Sequence, residues 1–442
     1  MAGRERWEYE RPGIYLPSST PKKLSEQIEP QEDPIWNSDL ALDRLLLRFE
    51  SWQTRRILEN CAYVASPQMI RHWQLGYTAR LEYLEDGDVK VEIPSFSEMS
   101  LNNRYRHGIE VATVMVDFGK TLNLDEEQLA LLGFTGLIHD YMHPVFSHRG
   151  EDFFKETEEY AIQKDPELLK MLRERNLVGD HLQRLLTVLD DASEPLAILA
   201  RSTFDQEEIK LMKEILNEQG TLGFLLKTAD TAAYLNLDSA YLGYEQPHFE
   251  RFLGEELTMD SHGNITFSDF PKGIAISQRF LAYREHMYRF QYRHPVNRLL
   301  EEMQKTVLFG HLNDTLGGRA KAMNLRDLIV GSDKDVLTLL RRRGLLKQDL
   351  ASLSLYGVPY ASYQILQEEN ASQKLAEGTI FISKMPSVFR KDISVVRPTG
   401  SNYTISTPFW QSQRTNPFFE HDLAFLPPYT QLWRIYVLTG AA

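Results

Sequence analysis

Ile138-His139-Asp140-Tyr141-Met142-His143-Pro144-Val145-Phe146-Ser147-His148 places three histidines and an aspartate in eleven residues, directly after the apolar run 129–138. Neutral imidazole and carboxylate are the usual protein ligands of a borderline transition metal, so this density reads first as a metal site. The His-Asp dipeptide alone is weak. With 12 histidines in 442 residues, roughly 0.7 such pairs are expected by chance. The second pair, His421-Asp422, lies in a proline-rich aromatic stretch with no companion ligand and reads as that chance event. The first pair has companions. Asp125-Glu-Glu-Gln128 has the form of a capping box, which predicts a helix opening there and running toward His139. His139 and His143 are spaced i, i+4 and would share a helical face, but Pro144 predicts that the helix stops.

Working outward, Arg104-Tyr-Arg-His107 precedes a predicted helix over 108–122, whose apolar face would pack on the helix that ends at the His-Asp pair. A third helix, expected over 223–241, is apolar except for Asp230, Tyr234 and Asp238 at i, i+4 and i+8. A polar stripe on a buried helix calls for a ligand or a hydrogen-bonded network. Nearer the start, the spacing predicts a helix from Asp39 to Tyr63 with Ser38 as its cap, then a short hairpin within 81–93 around Glu85-Asp-Gly-Asp88. Helical texture continues to about residue 345. Five prolines in residues 1–35 predict an extended arm, while residues 346–442 carry seven more among two β-rich runs, 379–383 and 433–438. The expected fold is mainly α: a helical core over 36–345 with a smaller C-terminal α/β or β-containing subdomain over 346–442.

Composition narrows the function classes. Lys and Arg total 49 against 62 Asp and Glu, a net charge of −13. That balance argues against strong non-specific nucleic-acid binding, which draws its affinity from basic side chains. The single cysteine, Cys61, excludes a disulfide framework and a thiolate zinc site and fits a reducing, cytoplasmic location. The apolar run 129–138 is half the length of roughly 20 residues that a membrane-spanning helix needs, so no membrane association is expected.

The order His107, His139-Asp140, Asp230 on successive helices resembles the HD-domain phosphohydrolases. The blocks Arg104-x-x-His107, His139-Asp140-x-x-His143-x-x-Phe146-Ser147-His148, Asp230-x-x-x-Tyr234-x-x-x-Asp238 and Leu242-Gly243 are similar to the branch of dGTPases and dNTP triphosphohydrolases. The segment from Arg284 to Asn297 is similar to that branch's phosphate-contacting helix, so the resemblance spans residues 95–305. It implies that His107, His139, Asp140 and Asp230 hold one divalent metal, Fe, Zn or Mn, with Mg possible alongside the nucleotide. It further implies that Arg104 and Arg284 grip phosphates, that His143 and His148 face the scissile bond, that Tyr234 lines the pocket, and that Asp238 accepts from a sugar hydroxyl. The implied substrate is a small-molecule nucleotide, and a homo-oligomer is expected, with Arg341-Arg-Arg343 a candidate contact. Two departures stand out. Thr231 occupies the place of a phosphate-touching lysine, and residues 149–180 lack a histidine that the family carries, for which Glu158, Glu159 or His181 could substitute. A two-metal phosphomonoesterase or phosphodiesterase recruiting His143 and His148, and a weakly active nucleotide sensor, are the alternatives.

Overall fold

The structure is a computed structural model that describes residues 38–292 apart from 76–77, 79, 84–88, 93–95 and 175, together with 297, 332–334 and five strands beyond residue 361. All of these belong to the unit Ser38–Ala442. The arm over 1–35, Arg341-Arg-Arg343 and His421-Asp422 lie outside the described residues.

The fold is mainly α. Helices α1 (Ser38–Leu46) and α2 (Trp52–Met69) stand where one helix was expected; the chain breaks between them, and Ser51, not Ser38, caps α2 by accepting from the Thr54 amide. The Glu126 carboxylate accepts from the Ser51 amide at 3.2 Å, fixing this restart against a helix 75 residues away. Strands β1 (Arg80–Tyr83) and β2 (Val89–Glu92) form the expected hairpin, followed by the short α3 (Phe96–Leu101).

Helix α4 (Arg104–Thr121) begins four residues earlier than predicted because Asn103 caps it, its side chain accepting from the Arg106 amide. Arg104 and His107 therefore both sit on its first turn. Helix α5 (Glu126–Ile138) carries the predicted capping box at Asp125 and Gln128 and is buried from Leu129 to Ile138. A helix apolar on all sides has to be enclosed. Helices α2, α4, α10 (Gln206–Leu216) and α11 (Gly220–Leu242) pack on it, α11 also packs on α4, and α6 (His148–Lys164), α7 (Pro166–Glu174), α8 (His181–Asp190) and α9 (Pro195–Thr203) come between α5 and α10 in the chain. Helix α11 ends at Gly243, whose φ of 84° is the left-handed stop that glycine tolerates.

Helices α12 (Phe249–Glu256) and α13 (Phe270–Met287) flank a small hairpin, β3 (Leu257–Met259) with β4 (Ile265–Phe267), which the helical texture of this region did not predict. A π-helical turn, Tyr288–Tyr292, follows α13. The C-terminal strands are β5 (Ser362–Gln367), β6 (Phe381–Lys384), β7 (Asp392–Val396), β8 (Asn402–Ser406) and β9 (Leu432–Val437), paired β5-β9-β6 and β7-β8. The expected runs 379–383 and 433–438 correspond to β6 and β9. Among the described residues no helix is long and apolar enough to cross a membrane.

The crossing of α4 and α5 positions the chemistry. A Cβ on Gly136 would stand 2.7 Å from Ala112 Cα, and one on Gly108 would stand 2.7 Å from the Leu137 carbonyl oxygen. Both contacts are with backbone, so only glycine permits this approach. His107 adjoins one of these glycines and His139 lies one turn from the other.

Candidate active site

Four of the predicted residues converge. His107 Nε2 stands 3.1 Å from Asp230 Oδ1 and 3.5 Å from Asp140 Oδ2. His139 Nε2 stands 3.5 Å from Asp140 Oδ1 and 3.7 Å from Asp230 Oδ1. His107, His139 and Asp140 are buried and offer ligand atoms close enough to share one ion. They come from the start of α4, the end of α5 and the middle of α11, which is why no local pattern brings them together.

The donor set fits a divalent metal. His139 Nδ1 lies 2.8 Å from the Gly136 carbonyl, to which it can only donate, so in the neutral ring, the form that a metal would bind, Nε2 carries the lone pair. That buried Nε2 has no hydrogen-bond partner among the described residues. A ring nitrogen held by a backbone carbonyl with its opposite nitrogen bare is the arrangement of a metal-ligating histidine.

The charges here oppose one another. Burial works to raise the Asp140 carboxyl, but Arg104, then His139 and His143, hold it well below the usual carboxylate range. Burial works to lower His139, yet Asp140 and Asp230 push it up to about 9. His107 is lowered, chiefly by burial.

Arg104 is buried and ion-paired to Asp140, and it also donates to the Ser147 hydroxyl and, at 3.3 Å, to the Gln74 carbonyl. His143 is fully buried after the helix has ended, so the turn 139–143 rather than a shared helical face brings it 3.4 Å from Asp140 Oδ1. Burial, with Arg104 and His181 behind it, holds His143 well below the usual histidine range and therefore neutral. His148, at the start of α6, leaves its side chain 75% exposed, and its Nδ1 is 3.2 Å from Glu151 Oε2. Its ring meets His143 edge to face at 5.1 Å.

Two residues complete this side of the cluster. Glu151 binds His181 Nδ1 at 2.6 Å, and His181 stacks on His143 at 4.0 Å with Nε2 3.7 Å from Asp140 Oδ1. Of the residues considered as substitutes, His181 is the one brought to the cluster, whereas Glu158 accepts from the Gly179 amide. Glu151 was not foreseen. His143, His148 and His181 hold it well below the usual carboxylate range against the effect of burial.

On the opposite side, Arg284 is buried rather than at the surface; its Nε donates to the Tyr234 hydroxyl at 2.8 Å and its guanidinium lies 4.3 Å over the Tyr288 ring. Asp238 is buried, with one oxygen accepting from Asn102 at 3.1 Å and the other from the Tyr292 hydroxyl at 2.8 Å. A sugar hydroxyl would have to share one of these oxygens. The Thr231 hydroxyl donates back to the Lys227 carbonyl at 3.0 Å, so this position places no cation in the cluster.

Burial pushes the Asp238 carboxyl up to about 7, with its two hydrogen bonds opposing. Its folded value lies above its unfolded one, so ionisation favours unfolding. The group costs stability as pH rises from about 4 to about 7, by about 4 kcal/mol in total. Asp238→Asn removes that dependence, and Asn102 can turn its amide to pair with the new side chain. The variant is expected to gain on the wild type between pH 4 and pH 8 in urea denaturation. An equal difference at both pH values would contradict the assignment.

No family model matches the chain. An uncharacterised protein of Methanocaldococcus jannaschii is 23% identical over 245 residues, 54% of this chain; the chain spans about half, 45%, of that relative's length. Solved structures share the fold. A hypothetical protein from Aquifex aeolicus has a TM-score of 0.51 at 18% identity, covering 90% of this chain and 92% of its own. A phosphohydrolase from Bacteroides thetaiotaomicron has a TM-score of 0.55 at 15% identity, covering 86% and 94%.

Proposed function

We propose that this chain is a metal-dependent HD-type phosphohydrolase that cleaves a nucleotide, most simply a deoxynucleoside triphosphate to deoxynucleoside and triphosphate. The observation that carries the reading is the meeting of His107, His139, Asp140 and Asp230 from three helices beside Arg104. Those four residues would hold the metal, which when bound supplies Lewis acidity toward a phosphoryl oxygen and a bound water acidic enough to ionise near neutral pH.

The chain's own groups supply the rest. Arg104 and Arg284 flank the cluster with planar guanidinium forks suited to phosphate oxygens. His148, exposed and oriented by the Glu151 carboxylate, can hand a proton to a leaving oxygen. His143, kept neutral by burial, backs that imidazole. Tyr234 and Tyr292 wall the side occupied by the sugar, where Asp238 is the acceptor.

A second reading is favoured by one observation. Asp140, His143 and His181 form another group whose ligand atoms lie within reach of one ion, with Asp140 common to both groups. Such a pair of sites suits a phosphomonoesterase or phosphodiesterase.

The test is a panel of dNTPs and NTPs offered to metal-loaded protein, with products identified. Triphosphate release supports the first reading, and two ions per chain favour the second. No hydrolysis of any nucleotide with metal bound at stoichiometry would sink the first. Chelation is also expected to lower Tm, because a ligand bound only by the folded state at 100 times its Kd stabilises by about 2.7 kcal/mol. A Tm unmoved by chelator and by added Mn²⁺ would count against the metal centre.

A further inference from the structure

We infer that Asp333 is a positioning residue for Arg104, holding the two backbone segments on which the guanidinium rests; this rests on the phosphate role of Arg104 proposed above. Asp333 lies in the described stretch 332–334, far in sequence from the cluster, and is fully buried. One carboxylate oxygen accepts the Trp73 amide at 2.7 Å, and the other accepts the Phe146 amide. Its own amide donates to the Arg71 carbonyl at 3.3 Å.

Each of those two amides neighbours a support of Arg104. Residues 72–74 pair in antiparallel fashion with 102–104: the Gln74 amide donates to Asn102 and the Arg104 amide to His72, both at 2.8 Å. In such a ladder the intervening amide points outward. Trp73 therefore turns its N–H away from Asn103, and Asp333 receives it. The adjacent Gln74 carbonyl accepts from Arg104 Nη2.

On the other side, Phe146 and Ser147 have φ of 58° and 56°, the left-handed region that non-glycine residues occupy only when their surroundings impose it. Asp333 binds the amide of the first, and the hydroxyl of the second accepts from the same Nη2. One buried carboxylate thus sits beneath both supports of one guanidinium nitrogen.

Only a group with two acceptor oxygens fits. Asparagine would set an NH₂ against one of the two amides, donor facing donor, at a fully buried position. Asp333→Asn in the full chain loaded with Mn²⁺ is expected to keep its helical circular dichroism and its metal content. It is expected to bind inorganic triphosphate about 10²-fold more weakly, the scale of a displaced positioning group. The discriminating measurement is a cycle with Arg104→Gln. If Asp333 acts through Arg104, the double variant binds triphosphate no more weakly than Arg104→Gln alone. Losses that multiply, or an unchanged affinity in Asp333→Asn, would overturn the inference.

Arg104→Gln with unchanged triphosphate affinity would instead refute the phosphate role of Arg104. Should Asp333→Asn not fold, amide exchange in the wild-type chain decides the anchoring. Phe146 and Trp73 are expected to be protected as strongly as the core of α4, and exchange at the rate of an exposed loop would overturn the inference.

Discussion

Asp140→Asn is expected to abolish metal binding at the proposed centre of His107, His139, Asp140 and Asp230 and to lower the proposed nucleotide hydrolysis by about 10³-fold or more, a barrier increase of about 4 kcal/mol. Asp140 is the residue on which every strand of the site's electrostatics meets. It lies 3.5 Å from both His107 Nε2 and His139 Nε2, is ion-paired to Arg104, and faces His143 and His181 on its other side. The amide keeps the shape and removes the charge, so a divalent ion would face one carboxylate, Asp230, beside a buried guanidinium that no longer has a counter-ion. Breaking a buried pair by removing one partner costs about 3–5 kcal/mol. The isosteric amide still accepts from Arg104, so the loss of stability falls toward the lower end. Metal analysis and initial rates on the folded variant check this. Wild-type metal content with wild-type turnover would contradict it.

Gly136→Val is expected to destabilise the fold by about 3 kcal/mol or more and to weaken metal binding with it. The new Cβ would stand 2.7 Å from Ala112 Cα and 2.8 Å from its amide nitrogen, and a helix backbone cannot rotate out of the way as a side chain can. Overpacking of this kind costs about 1–3 kcal/mol even where side chains can adjust. The gain in helix propensity over glycine, at most about 1 kcal/mol, does not offset it. The consequence for function follows from position. Gly136 also presents the carbonyl that fixes His139, and Gly108, its counterpart on α4, adjoins His107. Parting the helices therefore parts the ligands. The urea midpoint and the Mn²⁺ affinity are the readouts, and a variant as stable as the wild type would show that the crossing is not the constraint described.

Much of this was readable from the sequence because it is local. The capping box at Asp125 and Gln128, the hairpin around Glu85-Asp-Gly-Asp88, and the polar stripe of Asp230, Tyr234 and Asp238 each declare themselves within a few residues. The break between α1 and α2 was missed because the apolar spacing runs on across it, although Ser51 is an ordinary capping residue. The early start of α4 is set by Asn103, a single capping residue whose signal is local and lies outside the apolar run that marks the helix.

Glu151 could not be singled out. It lies on α6, whose exposed positions are crowded with acidic residues, and only the fold turns this one toward His148 and His181. Asp333 was hidden for a related reason. Its partners are 187 and 260 residues away, and a lone aspartate carries no periodic signal.

The measurement that tests the central claim most directly is a crystal structure of the Mn²⁺-loaded protein with anomalous data at the manganese edge. One peak bounded by Nε2 of His107, Nε2 of His139 and the carboxylates of Asp140 and Asp230 is predicted. No peak there after loading, or a single peak held by Asp140, His143 and His181 instead, would contradict it.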